Sequence, residues 1–537
     1  MDFIVIGLGP ELRTHLFWSE SYATFREPRA LFREAVARSF SPNLSAIAVA
    51  SCVVACGYSV QLIDLGLEYG IPFADAEHEK RYRALANDLA ESSPRAVLIS
   101  CPSAREHLAL LEVARTVKEW DSSCPVVVGG YHATSYFSRI ISSGFVDVVV
   151  RGDLEPISGQ LLRAIHSRSY DMLLKVRNLV LRTGEDVSMN PWATFSPADS
   201  RSVFDYSLVQ KYLPLFDVLS TVSSKGCAYN CNFCQEHVMR RGYVLRSPEE
   251  VLDEVVDILS LYEATVGPRR VGFYFMDAFF GASKDWLDRF CRTIVSRRLH
   301  FRWAFQTRPG LLEPQDYEAI SAAGCYLVHL GLESFSPTML RRMGKTKEPA
   351  EYLLRFQDDL RTATQCDLSV EYNILFGAPG ETRETLSETR RGIERTKESY
   401  PEATLNLNLF RLFPDTKSHD EVGKKYGSRI LVPRWWEKGV IPEITLTVLP
   451  SAEISTDELL RFYEDLYSDD NCYRRRGTHP GFWEYVTKGI LTKRDMVMIS
   501  HRNRYAFSAT KLQREEQMSY EDSRAEVPLG PKSNEAS

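Results

Sequence analysis

The stretch Ser224-Lys-Gly-Cys-Ala-Tyr-Asn-Cys-Asn-Phe-Cys234 sets three cysteines, Cys227, Cys231 and Cys234, with three and then two residues between them. Thiolates in that pattern can hold three irons of a cubane iron–sulfur cluster and leave the fourth iron without a cysteine. An open iron is a place to bind and break a small molecule. A closed four-cysteine site only shuttles electrons or staples a fold. The three cysteines are therefore candidate catalytic and metal-ligating residues. A zinc site is the alternative, and it wants four N/S ligands. No second cysteine pair with comparable flanks follows, and only His237, three residues past Cys234, would complete a Cys3His set. The polar and glycine flanks argue against a cluster of buried core cysteines.

The other eight cysteines, Cys52, Cys56, Cys101, Cys124, Cys291, Cys325, Cys366 and Cys472, show no paired framework. The chain opens Met1-Asp-Phe-Ile-Val-Ile-Gly7, an apolar strand-like run without a basic flank. An odd count of 11 cysteines and no leader point to a reducing cytoplasm. A length of 537 residues predicts several domains. Hydrophobic content of 44% and charged content of 25% are ordinary for a soluble protein. A net charge of −6 argues against a dedicated nucleic-acid binder. The longest apolar run, Ala46 to Cys56, reaches about half of the ~20 residues a membrane span needs. The expectation is a cytoplasmic monomer with no membrane span and no nucleic-acid partner.

In the first third, short apolar runs alternate with helical stretches. The runs are Phe3–Ile6, Val60–Asp64, Ala96–Ser100, Pro125–Gly129 and Val146–Val150. The helical stretches are Leu44–Cys56, Glu79–Glu91, Ala104–Trp120 and Tyr136–Ser142. Continuous Val/Ile runs between amphipathic helices predict a parallel sheet covered on both faces, with ligands beyond the carboxyl ends of its strands. Those ends read Ser100-Cys-Pro-Ser103, Gly129-Gly-Tyr-His-Ala-Thr134 and Arg151-Gly-Asp-Leu-Glu155. Adjacent glycines after a strand let a bulky planar ligand approach the backbone.

This pattern resembles the cobalamin-binding domain, in which a Ser-rich turn and a Gly-Gly turn flank the buried nucleotide tail. Ser100, Ser103, Gly129 and Gly130 match those positions. The Asp-x-His-x-x-Gly motif that supplies an axial histidine in many cobalamin enzymes is absent; the first loop reads Gly7-Leu-Gly-Pro-Glu-Leu-Arg-Thr-His15. The resemblance thus implies cobalamin without that ligand. His132 and Arg105 lie near the ligand turns, and His132 is either a cofactor contact or a turn residue bonded to backbone. A response-regulator-like or other flavodoxin-like module is the alternative for the whole domain.

From Val218 the pattern changes to repeated β/α units. Strands are expected at Val218–Ser223, Val271–Met276, Arg302–Thr307, Tyr326–Leu332, Leu368–Phe376 and Thr404–Leu412. Helices between them include Pro248–Glu263, Lys284–Arg297, Pro314–Ala323, Pro349–Thr364 and Glu381–Tyr400. Six units in roughly 200 residues predict a partial barrel, since a closed eightfold one takes about 250. The cysteine loop follows the first strand, at the end that carries chemistry in such barrels.

Cys-x-x-x-Cys-x-aromatic-Cys, with Phe233 as the aromatic, resembles the radical S-adenosylmethionine (SAM) superfamily. Four further segments agree in order: Tyr274–Phe279 with Asp277, Gly331-Leu-Glu-Ser334 with Leu340–Lys345, Phe376–Thr382, and Leu409–Thr416. The resemblance covers roughly residues 1–430 and is to the cobalamin-dependent class. It implies an α/β chain with a flavodoxin-like cobalamin-binding domain at 1–170, a linker at 171–216 and a partial (β/α)6 radical SAM barrel at 217–430. An α-rich capping segment at 431–510 and a disordered tail at 511–537 complete it. It further implies a [4Fe-4S] cluster, SAM and cobalamin as cofactors. Phe233, Asp277, Glu333, Ser334 and Gly377 are the matching cofactor contacts. Glu333 either bonds the SAM amine or ribose or forms a salt bridge at a strand end. Gln306, Arg308, Glu371 and Asn373 end or line strands at the same mouth, unranked as substrate contacts. The basic run Arg474-Arg-Arg476 reads as a solvated face.

The activity implied is methylation of an unactivated carbon, or a phosphorus centre, of a small biosynthetic intermediate, with antibiotic or lipid pathways as contexts and a flavodoxin or ferredoxin as electron donor. A cobalamin-dependent cyclase or rearrangement enzyme, and a cofactor-dependent sensor, are the alternatives.

Overall fold

The computed structural model describes residues 1–8, 42–69, 75–193, 204–216, 218–240, 242–268, 271–438 and 446–467. Residues 9–15 of the first loop, Arg474–Arg476, and the tail at 511–537 lie outside them.

The first sheet has seven strands: β1 (Phe3–Gly7), β2 (Val60–Asp64), β3 (Ala96–Ser100), β4 (Val126–Gly129), β5 (Val148–Val150), β6 (Leu179–Thr183) and β7 (Asp186–Met189). Their spatial order is β2-β1-β3-β4-β5-β6-β7. The first five run parallel and are almost wholly buried, as their unbroken Val/Ile runs require. The 2-1-3-4-5 order opens a crevice at the carboxyl ends of β1 and β3, where the winding reverses. In register across that edge stand Asp64, Gly7, Ser100 and Gly129, the last residues of β2, β1, β3 and β4.

Two boundaries differ from the sequence reading. Strand β6 pairs antiparallel to β5, and β7 antiparallel to β6, so the sheet reaches Met189 and overlaps the linker expected at 171–216. The hairpin turn Thr183-Gly-Glu-Asp186 reverses the chain, and edge strand β7 is too polar and exposed to announce itself. The helix after β4 starts at Tyr131 rather than Tyr136, with a kink at Tyr136, where φ is −115°.

The second sheet is built from β8 (Val218–Thr221), β11 (Gly272–Phe275), β12 (Arg302–Thr307), β13 (Cys325–Glu333), β14 (Ser369–Phe376) and β15 (Thr404–Leu409), all parallel, in that order, with β8 and β15 as free edges. Between β8 and β11, β9 (Ser224–Gly226) and β10 (Tyr243–Leu245) pair antiparallel. Helices Pro248–Val266, Lys284–Ser296, Pro314–Ala322, Pro349–Gln365 and Arg383–Ser399 follow the strands. Helix Pro248–Val266 is started by a capping box, Ser247 and Glu250, with proline at its first position.

The two sheets share one apolar core. The turn-rich stretch Tyr206–Leu215 joins them: Tyr206 donates to the Ser220 carbonyl on β8 at 2.6 Å, and Tyr212 donates to Glu68 beside β2 at 2.5 Å. From the C-terminal segment, Trp435 and Trp436 pack into the core of the first domain, against His132 and Tyr136 in the case of Trp436. Among the described residues, no helix is long and apolar enough to cross a membrane.

Candidate active site

The three cysteines lie on a loop that leaves the barrel after β8 and returns before helix Pro248–Val266, closed at its base by the β9–β10 ladder. Gly226 makes that closure possible: its φ is +80°, and a Cβ would overlap the Gly242 carbonyl. Two backbone amides point at sulfur, Tyr229 N–H to Cys227 Sγ at 3.5 Å and Glu236 N–H to Cys234 Sγ at 3.4 Å. Burial pushes the Cys234 thiol up to about 12, and burial also raises Cys227. Both sulfurs feel Cys231 as a like charge. Among the described residues, no group of three or more His, Cys, Asp or Glu side chains could hold a single metal ion, which the Cys3His zinc alternative with His237 needs. A cubane instead takes one sulfur per iron, so its cysteines stand apart. Three thiols on one loop, met by backbone N–H donors, fit that group.

Asn232, inside the motif, pins the loop to the barrel. Its N–H donates to the Met343 carbonyl at 2.9 Å, its Nδ2 to the Arg342 carbonyl at 2.8 Å, and its own carbonyl accepts from Ser418 N–H at 2.9 Å. Phe233 is half-buried against an apolar cluster that includes Met339, Met343 and Leu412. It therefore anchors the loop. Sequence reasoning missed Asn232, because one asparagine among three cysteines carries no periodic signal.

Asp277 does something other than the expected cofactor contact. It is buried, and its carboxylate accepts from Ser223 N–H at 3.0 Å, Ser223 Oγ at 2.8 Å and Ser224 Oγ. It staples the start of the cysteine loop to β11. Ser334 likewise turns inward: its hydroxyl pairs with Thr389 Oγ1 at 3.0 Å and accepts from Ser336 N–H. Gly377 sits at φ +81° with its N–H on Glu381 Oε2 at 2.7 Å.

Glu333 ends β13 with φ +77°, a left-handed conformation that costs a non-glycine residue roughly 1–2 kcal/mol. Its carboxylate meets Lys345 Nζ at 3.0 Å. Burial alone would lower the Lys345 ammonium, but Glu333, Tyr352 and Cys231 together outweigh it and hold it raised. A strained acid paired with a buried lysine beside the cysteine loop fits a ligand carrying both carboxylate and ammonium, as SAM does. Arg308 lies over the Tyr229 ring, 3.7 Å from its centroid, and donates to the Lys345 carbonyl.

The first domain faces this loop across a band of ion pairs. Lys225 meets Glu155 at 2.6 Å, and Arg240 meets Asp153 at 2.7 Å, Glu236 at 3.0 Å and the Tyr131 hydroxyl at 2.5 Å. Beside it lies a cavity of about 480 Å³ that includes Arg151, Trp192, Lys225 and His237.

Of the expected cobalamin contacts, Ser100 is buried and its hydroxyl donates to Ser45 Oγ at 2.8 Å. Ser103 caps the turn Ala104–Glu106, accepting from Arg105 N–H. Gly129 ends β4, and Gly130 adopts φ +115° because the chain crosses Cys101–Pro102 there; a Cβ would lie 2.6 Å from the Cys101 carbonyl carbon. That crossing, rather than ligand approach, demands the glycine. His132 bonds another side chain, His107 Nδ1, at 3.0 Å, and its own Nδ1 is buried without a partner. Burial drives its pKa well down. Arg81, missed in the sequence, is 2% exposed, and none of its three guanidinium nitrogens has a hydrogen-bond partner. It lies near Asp64, whose carboxyl it draws downward against burial. An unpaired buried guanidinium costs several kcal/mol, so the carboxyl edge of this sheet is fitted to a ligand rich in carbonyl or phosphate oxygens, as cobalamin is.

The comparisons with known proteins agree with this architecture. The radical SAM superfamily model matches residues 221–392. An anaerobic magnesium-protoporphyrin IX monomethyl ester cyclase from Cereibacter sphaeroides is 26% identical over 328 residues, 58% of this chain and 51% of the relative. An uncharacterized methyltransferase from Pyrococcus horikoshii is 26% identical over 369 residues, 64% of this chain and 75% of the relative. The chain thus spans about half the length of the cyclase it matches. The structure of the radical SAM methyltransferase TsrM from Kitasatospora setae superposes with a TM-score of 0.66 at 17% identity, covering 97% of this chain and 99% of TsrM. The cobalamin-dependent SAM radical enzyme OxsB superposes at 0.64 and 14% identity, covering 98% of this chain and 75% of OxsB. TsrM has been solved with cobalamin and a [4Fe-4S] cluster bound, and OxsB with aqua-cobalamin. Residues 221–392 of this chain thus match the radical SAM superfamily, within a fold like that of TsrM and OxsB.

Proposed function

We propose that the protein is a cobalamin-dependent radical SAM methyltransferase acting on an unactivated carbon, or a phosphorus centre, of a small molecule. The observation that carries this reading is the placement of the three-cysteine loop, held by Lys225–Glu155 and Arg240–Asp153 against the carboxyl-end loops of the first sheet. A cofactor on that edge and a cluster on that loop would face each other across the barrel mouth.

Cys227, Cys231 and Cys234 would hold the cluster, with Glu333 and Lys345 beside its open side to orient SAM. The carboxyl edge at Ser100, Gly129 and Arg81 would hold cobalamin. Bound there, these groups supply radical generation and methyl donation, which side chains lack. The protein's part is geometric. Asp277 and Asn232 fix the cysteine loop, the ion-pair band sets its distance from the first domain, and Trp435 and Trp436 pack into the core of that domain beside His132. A flavodoxin or ferredoxin is the fitting class of electron donor, and the cytoplasm the fitting compartment.

Anaerobic reconstitution tests the reading. The expected result is about four irons and one cobalamin per chain, with SAM cleavage under reducing conditions and a methylated product. Cys231→Ala must abolish cleavage; retained cleavage sinks the proposal. Similarity to an anaerobic cyclase favours a second reading, ring closure without methylation. Product mass separates the two, since only methylation adds a methylene unit.

A further inference from the structure

The cavity of about 480 Å³ beside the ion-pair band has a wall that neither cofactor reading uses. It takes Phe137, Arg151 and Trp192 from the first domain, and His237, Met239 and Val244 from the chain that follows the cysteines. Ser100, Gly129 and Arg81, placed beside cobalamin above, do not line it, nor do Glu333 and Lys345, placed beside SAM. Its volume falls in the range of small-molecule sites.

Arg151 is only 9% exposed. Its guanidinium lies over the Phe137 and Trp192 rings, 5.4 and 5.2 Å from their centroids. Among the described residues it makes one hydrogen bond, from Nη2 to the Asn190 carbonyl at 2.9 Å, and Nε is buried without a partner. Burial lowers its pKa, and no neighbouring acid holds it up. The other two cations at the cavity are engaged, Lys225 by Glu155 and Arg240 by Asp153 and Glu236. His237 Nδ1 is also buried without a partner. Burial and the nearby Lys417 depress its pKa, so the ring is neutral and can carry its hydrogen on Nδ1. Asp415 is the remaining acid at the cavity, and burial raises it toward its neutral form.

Stability does not explain Arg151. Two ring contacts and one bond to a neutral carbonyl do not offset the loss of water around a full charge, and an apolar side chain of like length would pack there at less cost. An anion in the cavity supplies the missing compensation. One unpaired guanidinium beside one imidazole N–H matches a single negative charge spread over two oxygens. A dianion would also meet the Asp153 and Asp415 carboxylates, which line the same cavity. Trp192, Met239 and Val244 give an apolar body a surface to lie on.

We propose that this cavity binds the carboxylate of a small organic acid, paired with Arg151 and His237, with its apolar part against Trp192. The site is separate from both cofactor sites, and it stands whether or not the chain methylates a substrate. The acid is the substrate itself or a free effector; both present the same chemistry to Arg151.

The test uses the full-length chain reconstituted with its cluster, with and without cobalamin, titrated calorimetrically with 3-phenylpropionate and with its neutral isostere 3-phenylpropanamide. The acid should bind about tenfold tighter than the amide, the value of one hydrogen bond to a charged group, and cobalamin should leave that preference in place. Arg151→Met removes the charge and keeps the length, and should cut the preference below about twofold. Ala193→Phe fills the cavity with Arg151 still present, and should abolish binding of the acid even where the first variant folds poorly. Equal binding of the pair, no binding of the acid up to roughly 10 mM, a preference that survives in either folded variant, or binding lost once cobalamin is loaded overturns the proposal. Mass spectrometry after incubation with SAM and reductant separates the two sources: turnover of the bound acid assigns the carboxylate to the substrate, and no turnover assigns it to an effector. Absent SAM cleavage with the acid preference intact removes the enzymatic reading and leaves this site.

Discussion

Asp277 offers the sharpest test, because the sequence reading and the structure assign it different work. If it contacts SAM, Asp277→Asn should weaken SAM binding and leave stability alone. The structure places its carboxylate in a buried niche, accepting three hydrogen bonds from Ser223 and Ser224. Burial lifts its pKa from 3.8 to about 6, and the serine donors only partly counter that. An acid whose folded-state pKa lies above its unfolded value binds protons more tightly when folded, so stability falls as pH rises from about 4 to about 6. Above that window the ionised form costs about 3 kcal/mol relative to a neutral group in the same place. Asparagine is neutral and nearly isosteric. Its Oδ1 can accept from Ser223 N–H, while the two hydroxyls rotate to accept from Nδ2. Asp277→Asn should therefore be as stable as the parent or up to about 3 kcal/mol more stable at pH 8, with a flatter profile between pH 4 and 6. Asp277→Ala removes the acceptor altogether. It should lose about 2–4 kcal/mol by stranding buried donors, and should retain less iron after reconstitution. Urea midpoints across pH 4–8 on the metal-free chain, with iron counts on the loaded one, decide the matter. An Asn variant that loses several kcal/mol at pH 8, or one of unchanged stability that no longer binds SAM, would refute the reasoning.

Other consequences are as direct. Gly130→Ala places a Cβ 2.9 Å from Pro102 N at a φ of +115°, and should cost about 2–4 kcal/mol in urea denaturation. Arg240→Met leaves Asp153 and Glu236 without their cation at the domain interface; a loss of about 3 kcal/mol is expected, with a larger radius of gyration by small-angle scattering. The His107–His132 pair should make the chain acid-labile. Burial takes His107 from 6.5 to about 4, so the unfolded chain binds protons that the folded one refuses. Stability should then be full above pH 6.5 and decline by up to about 3 kcal/mol toward pH 4, and His107→Gln should flatten that decline, read by urea midpoints.

The cysteine spacing, the alternating β/α runs and the strand-end turns were legible because each is a local pattern. Strand runs such as Ala96–Ser100 and Val126–Gly129 need only their own residues to declare burial on both faces. The hairpin β6–β7 escaped because an exposed edge strand such as Asp186–Met189 loses the apolar run that marks its neighbours. At the site, residue type was readable and partner was not. Asp277 and Ser334 stand in the expected motifs, yet both are consumed by serine and threonine hydroxyls that the fold brings from elsewhere. Arg81 and His329 were invisible for the converse reason. An arginine in a helix full of charges, or a histidine midway along a strand, acquires meaning only from what it faces.

By itself, the sequence determined that three thiols would stand together on a loop after the first strand of a β/α barrel, because bonded spacing and hydrophobic period are properties of the chain alone. The tertiary structure decided the rest. It packed Phe233 against Met339 and Met343, set the Asp277 carboxylate on Ser223 and Ser224, left the Arg81 guanidinium without a hydrogen-bond partner, and joined Tyr274, His329, Glu371 and Asn406 across four strands. Hydrogen bonds and ion pairs act over a few ångströms, and residues tens or hundreds of positions apart reach that range only when the chain is folded.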